Sequence, residues 1–557
     1  MSKRRRRNLE KRRRHAQTGG RTTRSRRLSA GAGLTVGATL TIAGTAQATD
    51  FTVDNTNDTG GNCPTVTTCT LRQAITDANT NSGPDDILFD SGLSGTITLG
   101  SDLPTITGPT DIQGPGAGQL TVNGTDDLQI ISINQAVSGD PVSISGLTIT
   151  NGAVLDSGGA VFSNDADLTI SDAVVSSSRI LVGGQGGGIA SFGPSLTVER
   201  STVSGNTTPG GGGDHGGGIY AYYQLYLVDS TVSGNTGSYG GGIYVAYSGG
   251  TIANPPAEHR GPHTIRNSTI VGNTATGSGG GVNFYGAQYE SDRLTVESST
   301  ITGNNASGTN GNTHAGYGGG VASQNEGAGY LGAVLENTIV ANNTALISEP
   351  DVSGDLLDAS FSLIQGPGSA GITEGVPGSN ITGVDPLLGP LQDNGGPTET
   401  MALALSSSPA LDMGSAGALS TDQRGEQRPF DLPTITNSGA AGADGADIGA
   451  VEMQTLPPSP PVSPPATSPT SAPPKCKGKT ATVFTRSGLA RTLNGTNKRD
   501  VIVGTTKKDT IKAKGGNDLV CAKGGKDTVK GGGGKDKLYG QGGKDKLFGQ
   551  GGADKLV

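Results

Sequence analysis

Hydrophobic residues in this chain come in short, β-branched runs that return at long intervals. The clearest run reads Ser201-Thr202-Val203-Ser204-Gly205-Asn206. It recurs as Ser230-Thr231-Val232-Ser233-Gly234-Asn235, Ser268-Thr269-Ile270-Val271-Gly272-Asn273 and Ser299-Thr300-Ile301-Thr302-Gly303-Asn304. A weaker copy is Asn337-Thr338-Ile339-Val340-Ala341-Asn342. Between the copies runs a glycine element, Gly216-Gly217-Gly218-Ile219, repeated as Gly240-Gly241-Gly242-Ile243, Gly279-Gly280-Gly281-Val282 and Gly318-Gly319-Gly320-Val321. The asparagines stand 29, 38, 31 and 38 residues apart. Constant strands at unequal spacing mean coils in register, joined by loops of variable length. Alternation places the central aliphatic inside and the flanking Thr and Ser outside. An asparagine at each coil corner can bond through its amide to the asparagine above. The pattern predicts an all-β chain whose main body is a right-handed parallel β-helix. From Leu120 to Ala345 there is room for roughly eight coils, about 40 Å of stack.

One segment breaks the strand pattern. In Leu71-Arg72-Gln73-Ala74-Ile75-Thr76-Asp77-Ala78, the residues Leu71, Ala74, Ile75 and Ala78 share one helical face. A parallel stack leaves its first ladder open to other strands, and a short amphipathic helix there would cover that edge.

At the carboxyl end the period shortens to nine. Asp500, Asp509, Asp518, Asp527, Asp536, Asp545 and Asp554 stand nine residues apart. Two residues after each comes Ile502, Ile511, Val520, Val529, Leu538, Leu547 or Leu556. Five of the seven aspartates follow a glycine pair, such as Gly542-Gly543 or Gly551-Gly552. Each unit makes a six-residue turn and a three-residue strand, two units make one coil, and the aliphatic points inward. Glycine lets the turn adopt positive φ. Aspartate and the turn carbonyls are hard oxygen donors that suit Ca²⁺. Ions are expected between turns eighteen residues apart: Asp500/Asp518, Asp509/Asp527, Asp518/Asp536, Asp527/Asp545 and Asp536/Asp554. Only the last three pairs have glycines in both turns, so three good sites and two poor ones are expected. Lysine stands directly before Asp527, Asp536 and Asp545, and its charge weakens cation binding. Affinity of about 10⁻⁴ to 10⁻³ M is expected, with a tail that is unfolded until calcium arrives.

This tail resembles the RTX, or haemolysin-type, calcium-binding repeat family, whose pattern is G-G-x-G-x-D-x-hydrophobic-x, over about residues 491 to 557. The segment C-T-L-R-Q-A at residues 69–74 is similar to the CSLREA segment that begins many exported β-helix proteins. A third resemblance runs from Asp385-Pro386-Leu387-Leu388-Gly389-Pro390-Leu391 through Asp393-Asn394-Gly395-Gly396-Pro397-Thr398 and Asp422-Gln423-Arg424-Gly425 to Asp447-Ile448-Gly449-Ala450-Val451-Glu452. These motifs resemble the choice-of-anchor Q domain, which closes many such β-helices and implies no known active site. The domains expected are a signal peptide (1–48), a capping segment (49–119), β-helix repeats (120–380), a closing region (381–456), a proline-rich linker (457–474) and a β-roll (475–557).

Composition sharpens this division. With 95 glycines, no Trp and a 32% apolar share, the chain is too poor in apolar residues for an ordinary core, but stacked coils need only one or two aliphatics per strand. Residues 1–48 hold 13 Lys/Arg and a single Glu, then a weakly apolar stretch and Ala46-Gln47-Ala48, the form of an export signal with its cleavage site. Residues 49–474 hold 8 arginines and no lysine against 40 acids, a net of −32. Residues 475–557 hold 19 Lys/Arg against 7 Asp, a net of +12. The acidic body is unsuited to nucleic acid or an anionic membrane, whereas the basic tail suits an anionic wall polymer. No segment of the mature chain is long and apolar enough to span a bilayer. The four cysteines are expected to pair as Cys63–Cys69 and Cys476–Cys521, because the long linker separates the two sets.

Parallel β-helices also host polysaccharide lyases and glycoside hydrolases. A lyase needs a base beside an acidic sugar, and the body has no lysine. The adjacent pairs Asp85-Asp86 and Asp126-Asp127 point to opposite faces if on strands, and read as loop acids. His215, His259 and His263 read as surface histidines. The sequence therefore favours an extracellular or cell-surface calcium-binding protein with a non-catalytic, adhesive or glycan-contacting body. A glycan-degrading enzyme on the same scaffold is the alternative.

Overall fold

The computed structural model describes residues 49–61, 63, 68–125, 128–135, 137–211, 213–246, 262–285, 293–308, 316–324, 332–347, 350–354, 357–368, 371–456, 473–484 and 492–557. The export signal, nearly all of the proline-rich linker, His259 and the Asp126-Asp127 pair lie outside these residues.

Three long parallel sheets wrap one apolar core into a right-handed parallel β-helix. Among the described residues they have twelve, eleven and eight strands. The twelve-stranded sheet runs from β1 (Asp50–Val53) and its neighbour β2 (Asp85–Phe89) to Ile372–Glu374. The ladder therefore opens at Asp50, seventy residues before the repeats become legible at Leu120. The early strands are real, but they lack the Ser-Thr-Val-Ser-Gly-Asn signature. Helix α1 (Leu71–Ala78) is capped by Thr70, whose hydroxyl accepts the Gln73 N–H. Its four apolar residues are buried and enter the core beside Phe51, Val53 and Ile87.

Each full coil buries a similar set of aliphatics. One coil contributes Leu225, Leu227, Val232, Ile243 and Val245, all fully buried. At roughly 1.5–3 kcal/mol per fully buried aliphatic, five per coil hold a stack in which each coil packs on the coils before and after it.

Two polar ladders run inside the corners. Asn206 donates its amide to Asn235 Oδ1 at 3.0 Å, Asn235 to Asn273 at 2.9 Å, Asn273 to Asn304 at 2.9 Å and Asn304 to Asn343 at 2.9 Å. The fifth member is Asn343, not the Asn342 that the motif suggested. In the coil of the weak copy Thr338 pairs with the serine corner and Asn342 takes φ +58°, the place held by Gly303 one coil earlier. The weak copy is thus shifted by one residue. The glycine triplets follow from this ladder. A Cβ on Gly218, Gly242 or Gly281 would come within 2.9, 3.0 or 3.1 Å of the amide of Asn235, Asn273 or Asn304. At the opposite corner Ser201, Ser230, Ser268, Ser299 and Thr338 each accept a backbone N–H from the coil before.

Residues 381–456 lie along the flank of the stack. They cover the outer face of the eleven-stranded sheet, so Thr231, Thr269 and Thr300, expected on the outside, are buried. Gln423 is the centre of this contact: its amide donates to the Ser230 carbonyl and the Thr231 hydroxyl, and its carbonyl accepts from Thr269 at 2.6 Å. Thr300 accepts the Ala450 N–H, and Leu403, Leu411, Leu432 and Ile448 pack on Ile339 and Leu363. The segment is held to itself by ions. Fully buried Arg428 donates to Glu452 at 2.8 Å and to the Gly449 carbonyl at 2.8 Å. Glu452 also accepts the Phe430 and Asp447 N–H groups, and Arg424 pairs with Asp422. The charged motif residues of this region therefore do structural work.

The C-terminal module is a two-sheet parallel β-roll. One sheet holds Val501–Val503, Leu519–Cys521, Lys537–Tyr539 and Lys555–Leu556 behind Val483–Phe484. The other holds Thr492–Asn494, Thr510–Lys512, Thr528–Gly533 and Lys546–Gly551. Every inter-turn pairing in these two sheets is parallel with a step of eighteen residues, except that the first is nineteen. Ile502, Ile511, Val520, Val529 and Leu538 are fully buried between the sheets, while Leu556 at the open end is 48% exposed.

Candidate metal centre

Stacking turns eighteen residues apart brings each aspartate under the next. The N–H of Asp500 donates to Oδ1 of Asp518 at 2.8 Å, Asp509 to Asp527 at 2.7 Å, and Asp518 to Asp536, Asp527 to Asp545 and Asp536 to Asp554 at 2.9 Å each. One oxygen of each later carboxylate is thereby fixed by the backbone. The fate of the other oxygen divides the seven.

In Asp518, Asp527 and Asp536 the Oδ2 atom is buried and has no hydrogen-bond partner. Burial pushes the Asp518 carboxyl up to about 6, against the lowering effect of the Asp500 N–H, and burial also raises Asp527. An orphaned carboxylate oxygen in each of three turns is a costly arrangement without a cation. In Asp500 and Asp509 the same atom is occupied. The Thr496 N–H and hydroxyl donate to Asp500 Oδ2 at 2.6 and 2.9 Å, and Thr505 does the same to Asp509 at 2.6 and 3.0 Å. These threonines stand in the turns that lack the glycine pair. Asp545 and Asp554, in the last two turns, are half-buried.

The surroundings fit a hard cation. Among the described residues no three His, Cys, Asp or Glu side chains converge as a metal cluster, so backbone carbonyls must complete any shell around a pair of aspartates. The turns provide the space. A Cβ on Gly540 would come within 2.6 Å of Asp545 Oδ2, and Gly543, at φ +120°, lies directly against the carbonyl of Gly525. Asp518, Asp527 and Asp536 would hold the ion, together with the paired aspartates Asp536, Asp545 and Asp554.

The roll also has a second small core on the outside of one sheet. Val501, Val503, Leu519 and Cys521 are buried there under Cys476 and Ala481, with Phe484 and Tyr539 packed beside them in the same sheet. The Cys476–Cys521 disulfide ties this cover down, and Lys477 lies over the Tyr539 ring at 4.7 Å. The other two cysteines form Cys63–Cys69 near α1.

The remaining chemical candidates are structural. His263 is 3% exposed, packed on Phe284, and burial lowers its pKa to about 4. His215 stacks on Tyr244 at 4.3 Å and is likewise lowered to about 4 by burial. Neither is the surface histidine the sequence suggested, because the aromatic partners lie on neighbouring coils. Asp85 and Asp86 are on strand β2 and not in a loop; Asp85 is buried and accepts from Thr49 and Asn81. A shallow groove of about 600 Å³ beside Leu181, Val182 and Pro209 contains Asp214. Both Asp214 oxygens are taken, by the N–H groups of Gly184 and Gly211.

Residues 494–529 and 522–556 match the RTX calcium-binding nonapeptide repeat family (4 copies). The tail thus carries calcium-binding repeats of that family. No curated protein matches the chain. Among solved structures, pectate lyase Pel9A aligns over 72% of this chain and 96% of its own at 15% identity, with a TM-score of 0.40. The PL6 family alginate lyase AlyGC aligns over 91% of this chain and 78% of its own at 10% identity, with a TM-score of 0.25.

Proposed function

We propose that this is an exported surface or matrix protein whose roll binds about three Ca²⁺ ions and whose β-helix contacts extracellular glycan without catalysis. The observation that carries the calcium assignment is the orphaned buried oxygen on each of Asp518, Asp527 and Asp536. Export is supported by the Ala46-Gln47-Ala48 site after a basic leader and by the two disulfides. A non-catalytic body is supported by its lack of lysine and by the structural pairs Arg424–Asp422 and Arg428–Glu452. Isothermal titration of the mature chain with CaCl₂ tests the reading. A stoichiometry near three, abolished stepwise by Asp518→Ala, Asp527→Ala and Asp536→Ala, is expected. No heat at millimolar calcium would refute it.

A further inference from the structure

The eight-stranded sheet has an outer face unlike the rest of the acidic body. Its strands present two outward columns, and neither carries a charged residue from Ser132 on Ile131–Asn134 to Tyr285 on Val282–Tyr285. The outward columns of the twelve-stranded sheet, by contrast, include Asp86, Asp111, Glu199, Arg266, Glu297 and Glu336. The neutral face is also where the aromatics gather. The whole chain has 9 Phe, 12 Tyr and no Trp, yet Phe162, Phe192, Tyr220, Tyr222, Tyr244 and Tyr285 share this one surface.

The rings occupy two adjacent columns: Phe162 is in register with Ala190 and Tyr220, and Phe192 and Tyr222 stand two residues further along the chain. Phe162, Phe192 and Tyr222 are half-buried and sit on three successive coils. Their centroids are 5.8 Å apart from Phe162 to Phe192 and 5.9 Å from Phe192 to Tyr222. Tyr220 lies behind Phe192 at 5.2 Å and stacks on Tyr244, so the cluster has a rigid backing. Beside Phe162 the amide N–H groups of Asn164 donate to Asn134 at 3.0 Å and to Asp165 at 2.8 Å, so the Asn164 carbonyl oxygen and the Asn134 amide N–H groups are what these side chains offer a ligand. Half-exposed aromatic faces with a few fixed amides are the chemistry that binds the apolar faces and hydroxyls of sugar rings. The step from ring to ring is close to the advance of one pyranose along an extended chain. The strand columns of this face carry no charge and the carboxylate that borders them, Asp165, is bonded to Asn164, so in a body of net −32 nothing here selects an acidic polymer.

We propose that this face is a binding platform for a neutral polysaccharide strand laid along the β-helix axis. Sugar rings stack on Phe162, Phe192 and Tyr222, and hydroxyls bond to Asn134 and Asn164. The proposal rests on reading the body as a glycan-contacting module, and specifies the site and the ligand class. The test is affinity electrophoresis and calorimetry of the mature full-length chain in calcium at about 0.15 M salt. The probes are soluble mannan, arabinoxylan, mixed-linkage β-glucan and polygalacturonate. Binding to at least one neutral polymer and not to polygalacturonate is expected. Phe192→Ala and Tyr222→Ala should each weaken it about tenfold, the loss of one stacked ring, with unchanged circular dichroism. Asn164→Asp, which replaces the amide that donates to Asn134 and Asp165, should weaken it similarly, whereas Tyr226→Ala on the twelve-stranded sheet should leave it unchanged. Wild-type affinity in both Phe192→Ala and Asn164→Asp would overturn the platform while leaving a glycan-contacting body intact. Failure of all four probes would overturn both, and preference for polygalacturonate would overturn the neutral ligand class.

Discussion

At the scale of the residue, a turn threonine engages each of Asp500 and Asp509 through both its N–H and its hydroxyl. Thr496 and Thr505 supply to Asp500 and Asp509 the bonds that Asp518, Asp527 and Asp536 lack. Thr505→Val should therefore cost about 1 kcal/mol of roll stability and leave calcium stoichiometry unchanged, whereas Asp536→Ala should remove a site. Calorimetry with chemical denaturation separates the two. The pH dependence has a defined sign. Because burial raises the Asp518 carboxyl to about 6, the ion-free roll is favoured at low pH and loses stability as pH rises from the ordinary carboxylate value through 6. Calcium needs the ionised form, so its half-saturation concentration should rise about tenfold per pH unit below 6 for each proton displaced. Titrations followed by circular dichroism at pH 5 and 7.5 check this; equal midpoints would contradict it.

At the scale of the element, the asparagine ladder and the flanking segment behave as units. Asn273 accepts from the backbone and amide of Asn235 and donates to Val232 and Asn304. Asn273→Ala should orphan several buried groups and destabilise the body by roughly 2–4 kcal/mol in urea denaturation. Glu452→Ala strips the partner from fully buried Arg428, and a cost of about 3–5 kcal/mol is expected, with the flank of residues 381–456 becoming protease-sensitive. In the roll, the Cys476–Cys521 link closes a 45-residue separation. Replacing both cysteines by serine should lower stability by on the order of 3–4 kcal/mol and loosen the cover over Val503 and Leu519 first.

At the scale of the whole molecule, charge and calcium separate two modules. A body of net −32 and a tail of net +12 attract at low salt, but at about 0.15 M the Debye length is near 8 Å, and the proline-rich sequence of residues 457–474 is expected to act as a stiff spacer. Small-angle scattering at that salt should show two lobes. Chelation should abolish the roll transition in thermal unfolding and leave the body transition in place. A single compact particle, or one shared transition that moves with calcium, would contradict this separation.

Much of this architecture is local, and so it is legible in the chain. A coil repeats its chemistry every turn, so the Ser-Thr-Val-Ser-Gly-Asn copies reveal strand, corner and core together, and the nine-residue period places each roll aliphatic inside. The face of Leu71, Ala74, Ile75 and Ala78 is equally a local matter. What no local pattern contains is which surfaces meet. The choice of Asn343 over Asn342 depends on pairing with the coil before. The burial of Thr269 depends on Gln423, 154 residues later. The aromatic cluster exists only because coils of 28 and 30 residues set Phe162 beside Ala190 and bring Phe192 and Tyr222 onto the next two coils. The difference between Asp509 and Asp527 lies in a threonine whose role appears only when the turn is closed. Periodicity is written along the chain, but partners are chosen by stacking and by the docking of distant segments.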